Sequence, residues 1–187
     1  MSTESYSSKP QGKIPNNRFP LLVHRNAVPG GGAEEVKTRF RTNGWSNNWD
    51  YPGVYEYAHF HSTTHECLGC AKGWMEFTCS VGEGGWTRIR ITTGDVIVMP
   101  AGVSHQMVGQ SDDIHMCGGY ADGRDWDDIQ EAFLSDEDYI HACKRIMMLP
   151  IPSQDPATGK PMPEWHAAPS SVDGGWNDWR TSLDATS

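Results

Sequence analysis

The sequence predicts an all-β fold, a sandwich or barrel of short antiparallel strands. Two observations point to it first. Apolar runs of about four to eight residues recur between turn signals spaced about eight to twelve residues apart. Within several runs the pattern alternates: Met75, Phe77 and Cys79 share one face, and Ile89 and Ile91 alternate with Arg88 and Arg90. A third observation bounds the domain. The alternation stops near Trp126, and no internal repeat marks a second barrel.

The elements follow in order. Residues 1–18 are rich in Ser, Pro, Asn and Gly and are expected as a flexible N-terminal arm. Residues 19–23 form a short apolar run, a first strand, broken by Pro29-Gly30-Gly31-Gly32. Residues 34–43 fit a short helix or an edge strand, and an aromatic stretch around Asn47-Asn48 comes next. Residues 54–61 read as a strand, and 66–71 as another, closed by Lys72-Gly73. Strands at 74–80, 86–92 and 95–99 are separated by Gly82-Glu83-Gly84-Gly85 and Thr93-Gly94. After Pro100-Ala101-Gly102 the pattern continues through 106–108 and 114–120, so the barrel is expected over residues 19–125. Residues 126–187 are expected as a helical segment and an extended tail, packed on the barrel or on a partner. Within them, 127–134 and 136–148 look helical. Ser135 followed by Asp138 resembles a helix N-cap. Pro150 and Pro152 stop the helix.

Composition removes several classes of function. A chain of 187 residues buries roughly 70% of its unfolded surface and needs no disulfides to be stable. The formal charge is −9, and no run of Lys or Arg offers a surface for a phosphate backbone, which argues against a nucleic-acid partner. No segment approaches the roughly 20 apolar residues that cross a bilayer. The first 20 residues lack the apolar core of a signal peptide. The expectation is a cytoplasmic protein with neither membrane nor nucleic-acid partner. Five cysteines at irregular spacing do not form a secreted disulfide framework. Cys67-Leu68-Gly69-Cys70 has the spacing of a redox or zinc pair, but no second pair follows and no helix start surrounds it. Reduced cysteines buried in a strand are the plainer account.

The chemistry concentrates in two stretches. One contains His59-Phe60-His61-Ser62-Thr63-Thr64-His65-Glu66, and the other ends in Pro100-Ala101-Gly102-Val103-Ser104-His105. His59 and His61 are two apart, so on an extended chain both imidazoles point to one side. With Glu66 and His105 they offer three nitrogens and a carboxylate, a donor set suited to a divalent transition metal.

Both stretches resemble the paired motifs of the cupin superfamily. Gly53, His59, His61, Glu66 and Gly73 fit the first motif, and Gly94, Pro100, Gly102 and His105 the second; Gly109 stands where Asn is usual. A narrower resemblance links Ile14-Pro15-Asn16-Asn17, residues 59–66, Gly123-Arg124-Asp125-Trp126-Asp127 and residues 150–156 to the YjlB group of small cupins. What the resemblance implies is a jelly-roll β-barrel, a double-stranded β-helix, with a metal held inside one end by His59, His61, Glu66 and His105. It also implies a homodimer.

Such a site takes one divalent ion: Fe, Mn, Ni, Co or Zn, with Fe slightly favoured. The reactions it suits are metal-dependent ones on a small enol, phenol or carboxylate, with dioxygenase-type oxidation preferred over isomerase, cyclase or lyase chemistry. A metal-dependent binder without turnover is the third reading. His65 is a candidate catalytic acid or base and a competitor of Glu66 for the fourth ligand position. Adjacent strand residues face opposite ways, so only one of the two points inward. Tyr55 and Tyr57 share the parity of His59 and are candidates for substrate binding, Tyr57 also for proton donation; ordinary barrel filling accounts for them equally well. Met107 shares the parity of His105 and is expected in the pocket wall. Arg88 and Arg90 fit a solvated strand face, and His115 and Cys117 a filled core.

Overall fold

The computed structural model describes residues 1–169. Among them, two antiparallel sheets face each other as a jelly-roll barrel. The larger sheet contains β1 (Ser2–Tyr6), β2 (Leu21–Arg25), β7 (Val96–Met99), β4 (Glu66–Lys72), β9 (His115–Ala121) and β3 (Trp45–Tyr51), in that spatial order. The smaller has β6 (Thr87–Thr92), β5 (Trp74–Cys79) and β8 (His105–Gln110).

The two sheets carry different sequence patterns because they are covered differently. The central strands of the six-stranded sheet, β2, β7, β4 and β9, are buried on both faces, and its edge strands β1 and β3 are not. In β7, Val96 and Val98 enter an outer core with Val36, Phe40 and Trp165, while Ile97 and Met99 enter the core between the sheets. A strand covered on both sides is apolar at every position, and all four residues of β7 are buried. The three-stranded sheet has one wet face. Met75, Phe77, Cys79, Ile89 and Ile91 are buried between the sheets, and Arg88 and Arg90 stay outside, as their alternation predicts.

The outer core is closed by α1 (Ala33–Thr42) and by the chain after Pro150. Val36 and Phe40, four apart, put one stripe of α1 on the sheet. Trp165, in the short helix α3 (Pro163–His166), is wholly buried; it stacks on Phe19 with centroids 4.9 Å apart and donates to the Pro20 carbonyl. The tail read as extended is thus anchored through residue 169, and its remainder, 170–187, lies outside the described residues. α2 (Asp136–Met148) forms where expected, and the Ser135 side chain accepts from the Asp138 N–H as its N-cap.

Three segments depart from their sequence reading. Residues 2–6, expected in a flexible arm, form an edge strand. Arg25 binds both oxygens of Glu4 across it, at 2.8 and 2.9 Å. Residues 54–61 do not form a regular strand; they meet the barrel through two isolated bridges, His59 with His105 and Phe60 with Ile129. Residues 127–134 hold only a 3-10 turn at Glu131–Phe133. Asp127 and Ile129 are committed instead to residues 60–63, which removes them from any helix.

Candidate metal centre

The second motif turns sharply at Pro100–Val103, where the Val103 N–H reaches the Pro100 carbonyl at 3.2 Å. Gly102 has φ +88°, and a Cβ there would lie 2.4 Å from the Asn16 carbonyl oxygen, so only glycine fits. The turn is clamped from both sides. The Gly102 N–H donates to the His61 carbonyl at 2.7 Å. Asn16 N–H donates to the Gly102 carbonyl at 3.0 Å, and the Asn17 side chain donates to Ala101 O at 2.8 Å. The Asn16-Asn17 pair near the N-terminus is therefore part of the scaffold that delivers His105.

His59 and His105 exchange both backbone hydrogen bonds, at 3.1 and 2.9 Å, which sets their side chains together on one face. With His61 they bring three ring nitrogens within 4.8 Å of one another, and all three residues are buried. Each imidazole is held the same way. His59 Nδ1 donates to Tyr57 O at 3.1 Å, His105 Nδ1 to Val103 O at 3.2 Å, and His61 Nδ1 to Asp127 O. A carbonyl can only accept, so Nδ1 carries the hydrogen and Nε2 of each neutral ring presents a lone pair. This is how protein histidines are oriented toward metals.

Glu66 completes the set. Its Oε2 lies 3.3 Å from His61 Nε2 and 3.4 Å from His105 Nε2. That oxygen is buried with no aligned hydrogen-bond partner among the described residues. Burial works to raise the carboxyl, but His61 and His105 outweigh it and hold Glu66 below the usual carboxylate range. At His61 burial opposes protonation, and the Glu66 charge wins and pushes the imidazole up. Burial, with His105 and His61 adding to it, pushes His59 down to about 3. The pocket thus has one buried negative charge that calls for a positive one, a proton on His61 or a cation among the nitrogens. An orphaned carboxylate oxygen amid converging imidazole lone pairs fits a divalent transition metal.

The set opens on a cavity of about 510 Å³, lined among others by Trp49, Tyr51, Tyr55, Leu68, Tyr120 and Trp126. Tyr120 is the register partner of Glu66 on β9 and sits beside that carboxylate. Its hydroxyl accepts from Trp49 Nε1 at 3.1 Å, and burial pushes the phenol pKa up, so it stays protonated. The Trp49 indole reaches this place because residue 118 is glycine; a Cβ there would lie 2.1 Å from the ring. Asp127 braces the first motif. Its carboxylate accepts from the Ser62 and Thr63 N–H groups at 2.6 and 3.2 Å, while its carbonyl holds His61.

The structure distributes the sequence candidates unevenly. His59, His61, Glu66 and His105 come together. Tyr55 lines the cavity, with its ring centroid 5.2 Å from that of His59. Tyr57 stacks on Tyr55 at 4.8 Å, but its hydroxyl is turned to Asp128 at 2.6 Å and is outside the cavity lining. Met107 packs against the inter-sheet core rather than into the lining. His65 is on the far face of the chain from Glu66: its Nδ1 accepts from the Ala101 N–H at 2.9 Å, and its ring packs edgewise on Trp165 at 4.8 Å. Burial lowers its pKa to about 3, and it supports the 100–103 turn as a neutral ring. His115 pairs with Asp50 at 3.1 Å on the outside. Cys67 and Cys70 enter different cores, on opposite faces of β4, and burial pushes both thiols up. Tyr120, Trp49, Trp126 and Asp127 were not found from sequence. The signal available for the last two was their place in the Gly123–Asp127 stretch of the YjlB resemblance.

No family model matches the chain. It is 36% identical over 163 residues to the uncharacterised protein YjlB of Bacillus subtilis (strain 168), covering 86% of this chain and 93% of that one. Solved structures with a similar arrangement include RmlC from Streptococcus suis in complex with dTDP-D-xylose, at TM-score 0.36 and 15% identity, over 73% of this chain and 90% of that one. Another is the WlaRB TDP-quinovose 3,4-ketoisomerase of Campylobacter jejuni, at TM-score 0.37 and 14% identity, over 43% and 65% of the two chains. A third is acireductone dioxygenase from Bacillus anthracis, at 0.35 and 16%, over 63% and 58%. The chain spans less than two thirds of the length of the last two.

Proposed function

The chain belongs to the YjlB family, and on that premise we propose that it is a metal-dependent cupin enzyme acting on a small organic molecule, with dioxygenase-type oxidation of an enol or phenol as its chemistry. The observation that carries the reading is the convergence of three carbonyl-pinned imidazoles on a buried carboxylate at the head of a cavity. A divalent ion bound there, iron slightly favoured over Mn, Ni, Co or Zn, supplies Lewis acidity and, as iron, the capacity to activate dioxygen.

The chain's own residues do the remaining work in this proposal. His59, His61, His105 and Glu66 hold the ion, and the Nδ1 hydrogen bonds keep the rings from turning away. The Tyr120 hydroxyl, fixed by Trp49, holds a proton beside Glu66 and orients an oxygen entering the cavity. The aromatic wall displaces water from the reacting molecule. A homodimer is part of the same proposal, to be read by light scattering in solution. No helix among the described residues is long and apolar enough to cross a membrane.

Anaerobic reconstitution with Fe(II), followed by oxygen-uptake assays on phenolic and dicarbonyl compounds, tests the reading. Uptake by the loaded chain and none by His59→Ala supports it. No uptake with any metal and any such compound overturns the oxidative branch in favour of isomerase, cyclase or lyase chemistry. A small molecule that co-purifies and is returned unchanged favours a binder.

A further inference from the structure

We infer that the cavity is built for a flat hydroxylated aromatic carrying a single ionised oxygen, and against phosphorylated sugars and dicarboxylates. The inference rests on the metal-dependent reading and narrows it to a substrate class.

Charge is the first argument. Among the described residues lining the cavity none is Lys or Arg, and the fixed charges there are the carboxylates of Asp50 and Glu66. Lys37, the cation beside Asp50, is already shared between Asp50 and Glu34, and His115 also faces Asp50. Opposite a divalent ion, Glu66 leaves a net charge of about +1 at the site. One oxyanion balances that. The second charge of a dicarboxylate or of a phosphate ester finds no guanidinium or ammonium among the described wall residues, and recognition of such groups depends on those side chains.

Shape is the second argument. Two stacked aromatic pairs stand on either side of the donor set. Tyr120 and Trp126 lie 4.8 Å apart with planes 10° off parallel, and the Tyr120 ring is 6.1 Å from that of His61. Tyr55 and Tyr57 lie 4.8 Å apart at 17°, and the Tyr55 ring is 5.2 Å from that of His59. Tyr120 is buried at the floor, while Tyr55 and Trp126 are 48% and 42% exposed, as befits the mouth. A planar ring gains from such walls through offset and edge contacts. The volume of about 510 Å³ suits a molecule of one or two rings. The Tyr120 hydroxyl, which accepts from Trp49 and lies beside Glu66, marks the polar end of the floor.

The test uses the full chain loaded with Co(II), titrated separately with 4-nitrocatechol, oxalate and thymidine diphosphate, and read by calorimetry and by the visible Co(II) spectrum. 4-Nitrocatechol is expected to bind at least about tenfold more tightly than either other probe. Trp126→Ala should weaken 4-nitrocatechol by about tenfold while oxalate affinity and Co(II) content stay the same. Trp126 is half exposed, so its replacement leaves the core intact. Equal or tighter binding of oxalate or thymidine diphosphate overturns the substrate class but leaves the metal reading standing, as does a Trp126→Ala variant that binds every probe unchanged. Failure to take up Co(II) overturns the metal reading and this inference with it.

Discussion

The described residues bury two assemblies of histidine and carboxylate, and they differ in where their lone pairs go. In one, His59, His61 and His105 spend their Nδ1 hydrogens on backbone carbonyls, turn Nε2 inward and leave Glu66 Oε2 without an aligned donor. In the other, His24 lies between Thr3 Oγ1 at 3.0 Å and Asp155 Oδ2 at 2.7 Å, and Asp155 Oδ1 accepts from the Ala157 and Thr158 N–H groups at 2.8 and 2.9 Å. The second assembly is closed by proximity: His24 Nε2 has no aligned hydrogen-bond partner among the described residues, yet it lies 2.7 Å from Asp155 Oδ2, and the groups tie β1 and β2 to the loop after Pro150. The first is open, next to a cavity. Residue types and burial are the same, so neither marks a metal site by itself. The direction of the unused acceptors does.

The comparison breaks most visibly at the open assembly. Glu66→Gln or His105→Ala should lower metal affinity by more than about 100-fold, because a ligand costs at least as much as a group that merely orients one. Without metal, His105→Ala should melt below the parent, because it removes a buried ring bonded to the Val103 carbonyl, while the near-isosteric Glu66→Gln should melt closer to it. Metal titration and thermal melting on the same samples check both halves.

The closed assembly should respond the opposite way. Asp155→Ala is expected to cost about 3 kcal/mol of stability, because it strands His24 and two loop N–H groups, with metal content unchanged. Burial pushes the Asp155 carboxyl up, but His24 and the loop N–H groups outweigh it and hold the net value low. The stabilisation is therefore present above about pH 4, the unfolded value, and lost as pH falls below it. Asp155→Asn should flatten that acid limb in urea titrations.

A smaller effect sharpens the boundary of the open assembly. Asp127→Asn alters the carboxylate that holds Ser62 and Thr63 while keeping the carbonyl that holds His61. Metal affinity should fall by about tenfold, at the low end for groups that orient ligands, with the melting temperature nearly unchanged.

How much of this could be read from the residues follows from the range of the interactions. The strands of the barrel were legible because their apolar pattern is local, and the four donors because the two motifs fix their spacing. Ser2–Tyr6 was not, since an edge strand held by Glu4–Arg25 and Thr3–His24 needs no apolar alternation. Residues 127–134 misled because Asp127 and Ile129 spend their polar groups on residues 60–63, more than 60 positions away. Tyr120 and Trp49 were invisible for the same reason: β3 and β9 bring them to Glu66 only in the folded sheet. His65 was undecided by spacing and decided by the turn at Ala101, which takes its ring nitrogen.

The most direct test is a crystal structure of the metal-loaded full chain, with data collected at the absorption edge of the bound ion. The account expects one anomalous peak per chain, within bonding distance of His59, His61 and His105 Nε2 and a Glu66 oxygen. A peak at His24–Asp155, a peak bonded to His65, or no peak in a chain shown to carry metal would contradict it.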